Sequence, residues 1–136
     1  MDTTLEIIGN PTSQKRHRHT RWGTYDPSSK DKKQFIDYIT SSYNLKNFPT
    51  DEPLDLTMWF YMKRPKSHYG TGRNCDVLKK NHPTMHTKKP DIDNLIKFVL
   101  DAGNGLLWKD DSVIVNITAY KRYSNNKNPR TLIKIL

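Results

Sequence analysis

From Leu54 to Met62 apolar residues occupy every second position, Leu54, Leu56, Met58, Phe60 and Met62, with Asp55, Thr57, Trp59 and Tyr61 between them. A period of two is that of a strand with one buried face, and nothing else in the chain predicts a strand so clearly. Directly after it the chain changes character. Residues 63–89 hold almost no aliphatic side chain and carry Lys63, Arg64, Lys66, Arg73, Lys79, Lys80, Lys88 and Lys89 against Asp76 alone, a balance of +7. A stretch of that length without regular structure inside a compact domain is either functional or disordered.

The remaining elements follow from periodicity and punctuation. Leu5 to Ile8 reads as a short strand stopped by Gly9-Asn10-Pro11. It opens a second basic loop, at about 9–27, holding Lys15, Arg16, Arg18 and Arg21 with His17 and His19 interleaved and Trp22 and Tyr25 following. Phe35, Ile36 and Ile39 predict a helix over Ser28–Tyr43, its serine-rich start capping the first turn, and Phe48-Pro49 ends it. A more apolar helix of about three turns begins after Pro90 and ends near Gly103. Strands are expected from Val113 to Tyr120 and from Thr131 to Leu136, joined through 125–129 as a hairpin. The order predicts one α+β domain over 1–136, with two main helices and a small, mainly antiparallel mixed sheet.

A chain of 136 residues with 34% hydrophobic content suits one modest core. It has no apolar run of the roughly 20 residues that span a bilayer. The start Met1-Asp2-Thr3-Thr4-Leu5-Glu6 is unlike a signal peptide, so a cytoplasmic location and no membrane partner are expected. Cys75, the single cysteine, allows no internal disulfide. The formal charge of +9 points to a polyanionic partner.

Against that background residues 90–111 form an acidic island, five Asp against Lys97 and Lys109, a balance of −3. Asp91 and Asp93 lie two apart where Pro90 favours an extended lead-in. In extended chain they face one way and can share a cation, whereas in a helix they would point about 200° apart. Oxygen ligands without His or Cys select Mg²⁺ or Mn²⁺. Of Asp110 and Asp111, one is expected as a third ligand and the other as support. Lys97 and Asp101 continue a stripe from Asp93 at i,i+4 spacing. Such a stripe is either a surface ion-pair ladder or a lysine placed to neutralise a phosphate in the transition state, with Asp101 holding it. Helix capping and the helix dipole would account for one acid at Asp91 or Asp93, and less well for two.

Rival constellations are weaker. His68, Cys75, His82 and His86 could suggest zinc, but Pro83 interrupts the histidine pair and no second cysteine exists. Tyr69 and Trp22 either stack on exposed bases or pack on the domain. For Trp108, beside Leu106 and Leu107, core packing is expected.

The run Lys89-Pro90-Asp91-Ile92-Asp93-Asn94-Leu95-Ile96-Lys97, with Asp101-Ala102, Gly105, Trp108 and Asp110-Asp111 after it, resembles the RusA family of Holliday junction resolvases. The likeness is strong over residues 89–115 and weaker over the N-terminal strand and basic loop. It implies a homodimeric, Mg²⁺-dependent endonuclease that cuts four-way DNA junctions by paired incisions, in a family frequent in phages and prophages. By position, Asp91, Asp93 and Asp111 match its catalytic acids and metal ligands, and Lys97 its essential lysine. Asp101 and Asp110 match supporting positions. Gly103 departs from a common Leu, which would loosen or shorten the helix end, and Val113 from a frequent Gln.

DNA backbone contacts are expected from charge at Lys15, Arg16, Arg18, Arg21, Lys66, Arg73, Lys79, Lys80, Lys88 and Lys89. The alternatives are a non-catalytic nucleic-acid-binding module, and a nuclease of the same chemistry acting on forks, flaps or RNA.

Overall fold

In the computed structural model, which describes residues 2–125 and 128–136, the alternating segment Leu54–Met62 is a strand whose apolar side chains are all buried. The elements run β1 (Thr3–Ile8), β2 (Arg18–Thr20), β3 (Gly23–Tyr25), α1 (Ser29–Ser42), β4 (Leu54–Met62), α2 (Ile92–Gly103), β5 (Ile114–Tyr123) and β6 (Arg130–Ile135). A mixed sheet has the order β1-β6-β4-β5, and β2 with β3 makes a separate two-stranded ribbon. The fold is a single α+β domain with two helices, as the periodicity predicts. No helix among the described residues is long and apolar enough to cross a membrane.

The expected hairpin through 125–129 is corrected. Asn126 and Lys127 lie outside the described residues, but the strands on either side do not pair with each other. β4 stands between them, parallel to β5 and antiparallel to β6, so that Met58 faces Ala119 on one side and Ile133 on the other. The reason is the route of the chain. α2 carries it back to the end where β4 began, so β5 has to run parallel to β4, and β6 then returns into the gap between β4 and β1.

Both helices contribute to the core. α2 buries Leu95, Phe98, Val99 and Ala102, the i, i+3, i+4, i+7 stripe of an amphipathic helix. Phe35 of α1 meets Phe98 edge to face at 5.6 Å between ring centroids. Ser28 stands at the N-cap of α1 but its side chain makes no cap there, contrary to expectation. Its hydroxyl instead accepts from the Lys15 N–H at 2.9 Å, tying the first basic loop to the helix.

The second basic loop is built around Arg64, a residue only 5% exposed. Its guanidinium donates to the Ser124 and Pro83 carbonyls, both at 2.7 Å, and to Asn125 Oδ1 at 3.2 Å. One of the eight positive charges of this loop is therefore structural. Tyr123 carries His68 and His86 against its ring, each at 4.7 Å between centroids. Burial, followed by Arg64 for His68 and by Lys121 for His86, pushes both histidines below their ordinary pKa.

Gly103 does not loosen α2, which runs to it unbroken. A Cβ at this position would lie 2.4 Å from a ring carbon of Trp108, whose fully buried indole closes the helix end and donates to the Leu100 carbonyl at 3.3 Å. Gly103→Ala should therefore destabilise the protein by about 1–3 kcal/mol despite the better helix propensity of alanine. Urea unfolding checks this, and Trp108→Phe in the Gly103→Ala background should cost less than the two single effects added together.

Candidate active site

Asp91 occupies the N-cap of α2 in extended geometry, φ −71° and ψ 147°, as the lead-in after Pro90 predicts. Its carboxylate makes no cap hydrogen bond. Both of its oxygens instead receive the Lys89 ammonium at 2.9 Å, which holds the Asp91 carboxyl below the usual carboxylate range. Asp93 follows in the first turn, exposed, with Oδ1 accepting from the Asn94 N–H at 2.9 Å. The two acids thus share one short exposed segment.

That segment is fixed from two sides. Lys121, on β5, donates its ammonium to the carbonyls of Lys88 and Pro90, both at 2.8 Å. The Gln14 N–H donates to the Asn94 carbonyl at 2.9 Å, so the first basic loop lies directly against the first turn of α2. Sequence reasoning had no signal for Lys121, one basic residue in a β-branched run, or for Gln14, which falls outside every periodic pattern.

The root of that loop is an ionic chain. Gln14 Nε2 donates to Asp26 Oδ1 at 2.9 Å, the Lys32 ammonium meets Asp26 at 2.6 Å, and it lies 3.6 Å from Asp101. Burial pushes the Asp26 carboxyl up, but Lys32, with hydrogen bonds from Ser28 and Gln14, outweighs it and brings the pKa to about 2. Asp101 therefore pairs with Lys32 rather than with Lys97. Lys97 is exposed, and no ion pair joins it to Asp93 or Asp101 among the described residues. The surface ladder is not formed.

Asp110 and Asp111 divide their work. Asp110 Oδ2 accepts from the Ser112 N–H at 3.2 Å and caps the turn Asp111–Val113, and Ser112 lowers its pKa. Asp111 stays exposed beside it. This turn lies past the C-terminal end of α2, whereas Asp91 and Asp93 begin it, and a helix of 12 residues is about 18 Å long. The chain by itself does not bring Asp111 to the pair, and no group of three His, Cys, Asp or Glu able to hold a metal occurs among the described residues. That applies equally to His68, Cys75, His82 and His86.

The expected DNA contacts are on the surface. Lys15, Arg16, Arg18, Arg21, Lys66, Arg73, Lys79, Lys80, Lys88 and Lys89 are all exposed, Lys89 alone of them being paired with an acid of the site. Lys63, Lys66 and Lys79 line a cavity of about 1070 Å³ with Tyr69, Asn10 and Cys75. Tyr69 packs down, at 8% exposed, and Trp108 is wholly buried, whereas Trp22 projects into solvent. The ribbon that carries Trp22 falls inside the stretch 9–27 that the sequence predicts as loop. Thr20, Gly23, Thr24 and Tyr25 around a two-residue turn were the available signal.

Two comparisons bear on this arrangement. The chain is 31% identical over 137 residues to the uncharacterized protein YqaN of Bacillus subtilis (strain 168), an alignment that takes in 94% of this chain and 92% of that protein. The family model described as Endodeoxyribonuclease RusA matches residues 9–136, which include both basic loops, the acidic pair and the Asp110-Asp111 turn. The chain therefore belongs to the RusA family of endodeoxyribonucleases.

Proposed function

We propose that the chain is an Mg²⁺-dependent Holliday junction resolvase, with Mn²⁺ able to substitute, acting as a homodimer in DNA recombination and repair. It makes paired phosphodiester incisions in four-way junctions, in the cytoplasm of a bacterial or phage-infected cell. The observation that carries this reading is the exposed Asp91–Asp93 segment, held rigidly by Lys121 and Gln14 and flanked by exposed cations. Asp91 is not spent on capping, and the Lys89 ammonium already lies across both of its oxygens as a stand-in cation. The donor set suits a hard divalent ion.

Asp91, Asp93 and Asp111 would hold that ion, which supplies water activation and charge neutralisation at the scissile phosphate. Lys97, one turn beyond Asp93 and without an ion pair among the described residues, places its ammonium at the developing anion. Asp110 keeps the Asp111 turn in shape, and Asp101, through Lys32, steadies the root of the first basic loop. The exposed basic residues grip backbone phosphates by shape, with steep salt dependence.

The third acid reaches the pair from a second copy. β5 is the edge of the sheet, and over Ile114–Tyr120 it carries Val115 and Ile117 exposed, without the charge or proline that usually blunts an edge. At its far end Met85 already bridges to Arg122, which leaves the edge free over Ile114–Tyr120. A second β5 paired antiparallel over that stretch sets each Asp111 just beyond its partner's Tyr120. There Lys121 holds the lead-in to Asp91. Twofold symmetry gives two equivalent sites, as paired incisions require.

Three outcomes test this. Wild type with Mg²⁺ should cut a synthetic four-way junction and spare linear duplex, EDTA should abolish cutting, and Asp93→Asn should lose on the order of 10³-fold. Equal cutting of duplex, or preference for a fork or RNA, removes the resolvase reading while sparing the nuclease. Absent cutting leaves only a binding module, and cutting that survives EDTA removes the metal-dependent mechanism. Lys97→Ala should keep junction affinity and lose about 10²-fold or more in turnover, measured as single-turnover cleavage against gel-shift binding. Asp91→Asn and Asp111→Asn, each inactive alone, should recover one intact site when mixed as heterodimers and nick a cruciform plasmid without linearising it. Mixed dimers that remain inert would place the acids in one copy.

A further inference from the structure

The ribbon β2–β3 adds nothing to the core, since every residue of both strands is exposed. A two-stranded hairpin is marginal in water, and this one is braced locally. The Thr20 hydroxyl donates to the Gly23 carbonyl at 3.1 Å and accepts from the Trp22 N–H at 3.2 Å. His19 Nδ1 lies 2.8 Å from the Thr24 hydroxyl. Gly23, at φ +123°, closes the two-residue turn Arg21–Trp22 in a conformation that other residues rarely adopt.

This bracing presents Trp22 at the tip, 83% exposed. An indole gains more from burial than most side chains, so holding one in water on a braced turn has no explanation in folding. The Arg21 guanidinium stands 4.6 Å from the ring centroid. From Lys15 to Tyr25 the chain carries Lys15, Arg16, Arg18 and Arg21 and no acid. A flat apolar face set among cations is suited to a nucleobase beside its phosphates, and such stacking tolerates any sequence.

Position narrows the choice of base. The ribbon is rooted at Gln14 against Asn94, next to Asp93. Eight residues of extended chain reach at most about 27 Å from there to Trp22, which is less than one turn of duplex at about 34 Å. Within intact duplex every base face is covered by its neighbours, whereas a branch point leaves faces open. Resting on the reading of this chain as a junction nuclease, we propose that Trp22 stacks on the base exposed where the strands exchange, within one helical turn of the bond to be cut.

The test uses the full chain in EDTA, so that binding is read without cleavage, on a four-way junction carrying 2-aminopurine beside the branch point. Wild type should change the 2-aminopurine emission. Trp22→Ala should lose that change and bind the junction about tenfold more weakly, while Trp22→Phe keeps the change and most of the affinity. Both variants should bind linear duplex like wild type. A Trp22→Ala variant that matches wild type on the junction overturns the proposal and leaves the nuclease reading intact. Equal weakening on linear duplex also overturns it, reducing Trp22 to a general backbone contact. A wild type that neither binds nor cuts the junction removes both readings together.

Discussion

The parallel pairing of β4 with β5 governs the layout of everything else. A parallel pair cannot be joined by a tight turn, so the chain has to leave the end of β4 and travel back to its beginning before β5 starts. Residues 63–91 and α2 make that journey. The basic loop consequently collects at one end of the sheet, with the acidic pair where the return begins. The Asp110-Asp111 turn is delivered to the opposite end. The separation of the Asp110-Asp111 turn from Asp91 and Asp93 follows from strand direction, and the proposed pairing of two copies would reverse it.

Charge is redistributed by the fold in ways that a count along the sequence conceals. Arg64 spends its guanidinium on main-chain carbonyls and serves as the internal scaffold of a loop that looks uniformly basic. Lys89 is committed to Asp91, and Lys121 to two carbonyls at the entrance of α2. The exposed cations that remain are concentrated in the two loops flanking the acids. Of the acids at the start of α2, Asp91 is held below the usual carboxylate range by Lys89.

Regular periodicity was legible and long-range polar bonding was not. The alternation of β4 and the i, i+3, i+4 stripe of α2 can be read residue by residue, because burial against a core imposes a fixed period. The motif that contains the acidic pair was legible for a different reason, since a family pattern fixes particular residues at fixed spacing, and the family match agrees with it. Arg64, Lys121 and Gln14 carry no such signature. Each acts on carbonyls supplied by distant segments, and a carbonyl leaves no mark in a sequence. The β5–β6 pairing was misread because two β-rich runs with a polar connection look alike whether they pair with each other or both flank a third strand. Gly103 was misjudged by looking only along the helix. Its role lies in the space it leaves for Trp108.

The strand order also sets a timetable for the newly made chain. β1 finds its sheet partner only in β6, which fills the place between β1 and β4. As the ribosome releases the polypeptide, β4, α2 and β5 can assemble while β1 waits with its hydrogen-bonding edges bare until β6 emerges. Contacts of such long sequence separation form slowly and leave strand edges exposed in the meantime. Losing β6 would therefore strip the opposite end of the chain from the sheet, so truncation near the carboxyl terminus should be felt first at the amino terminus.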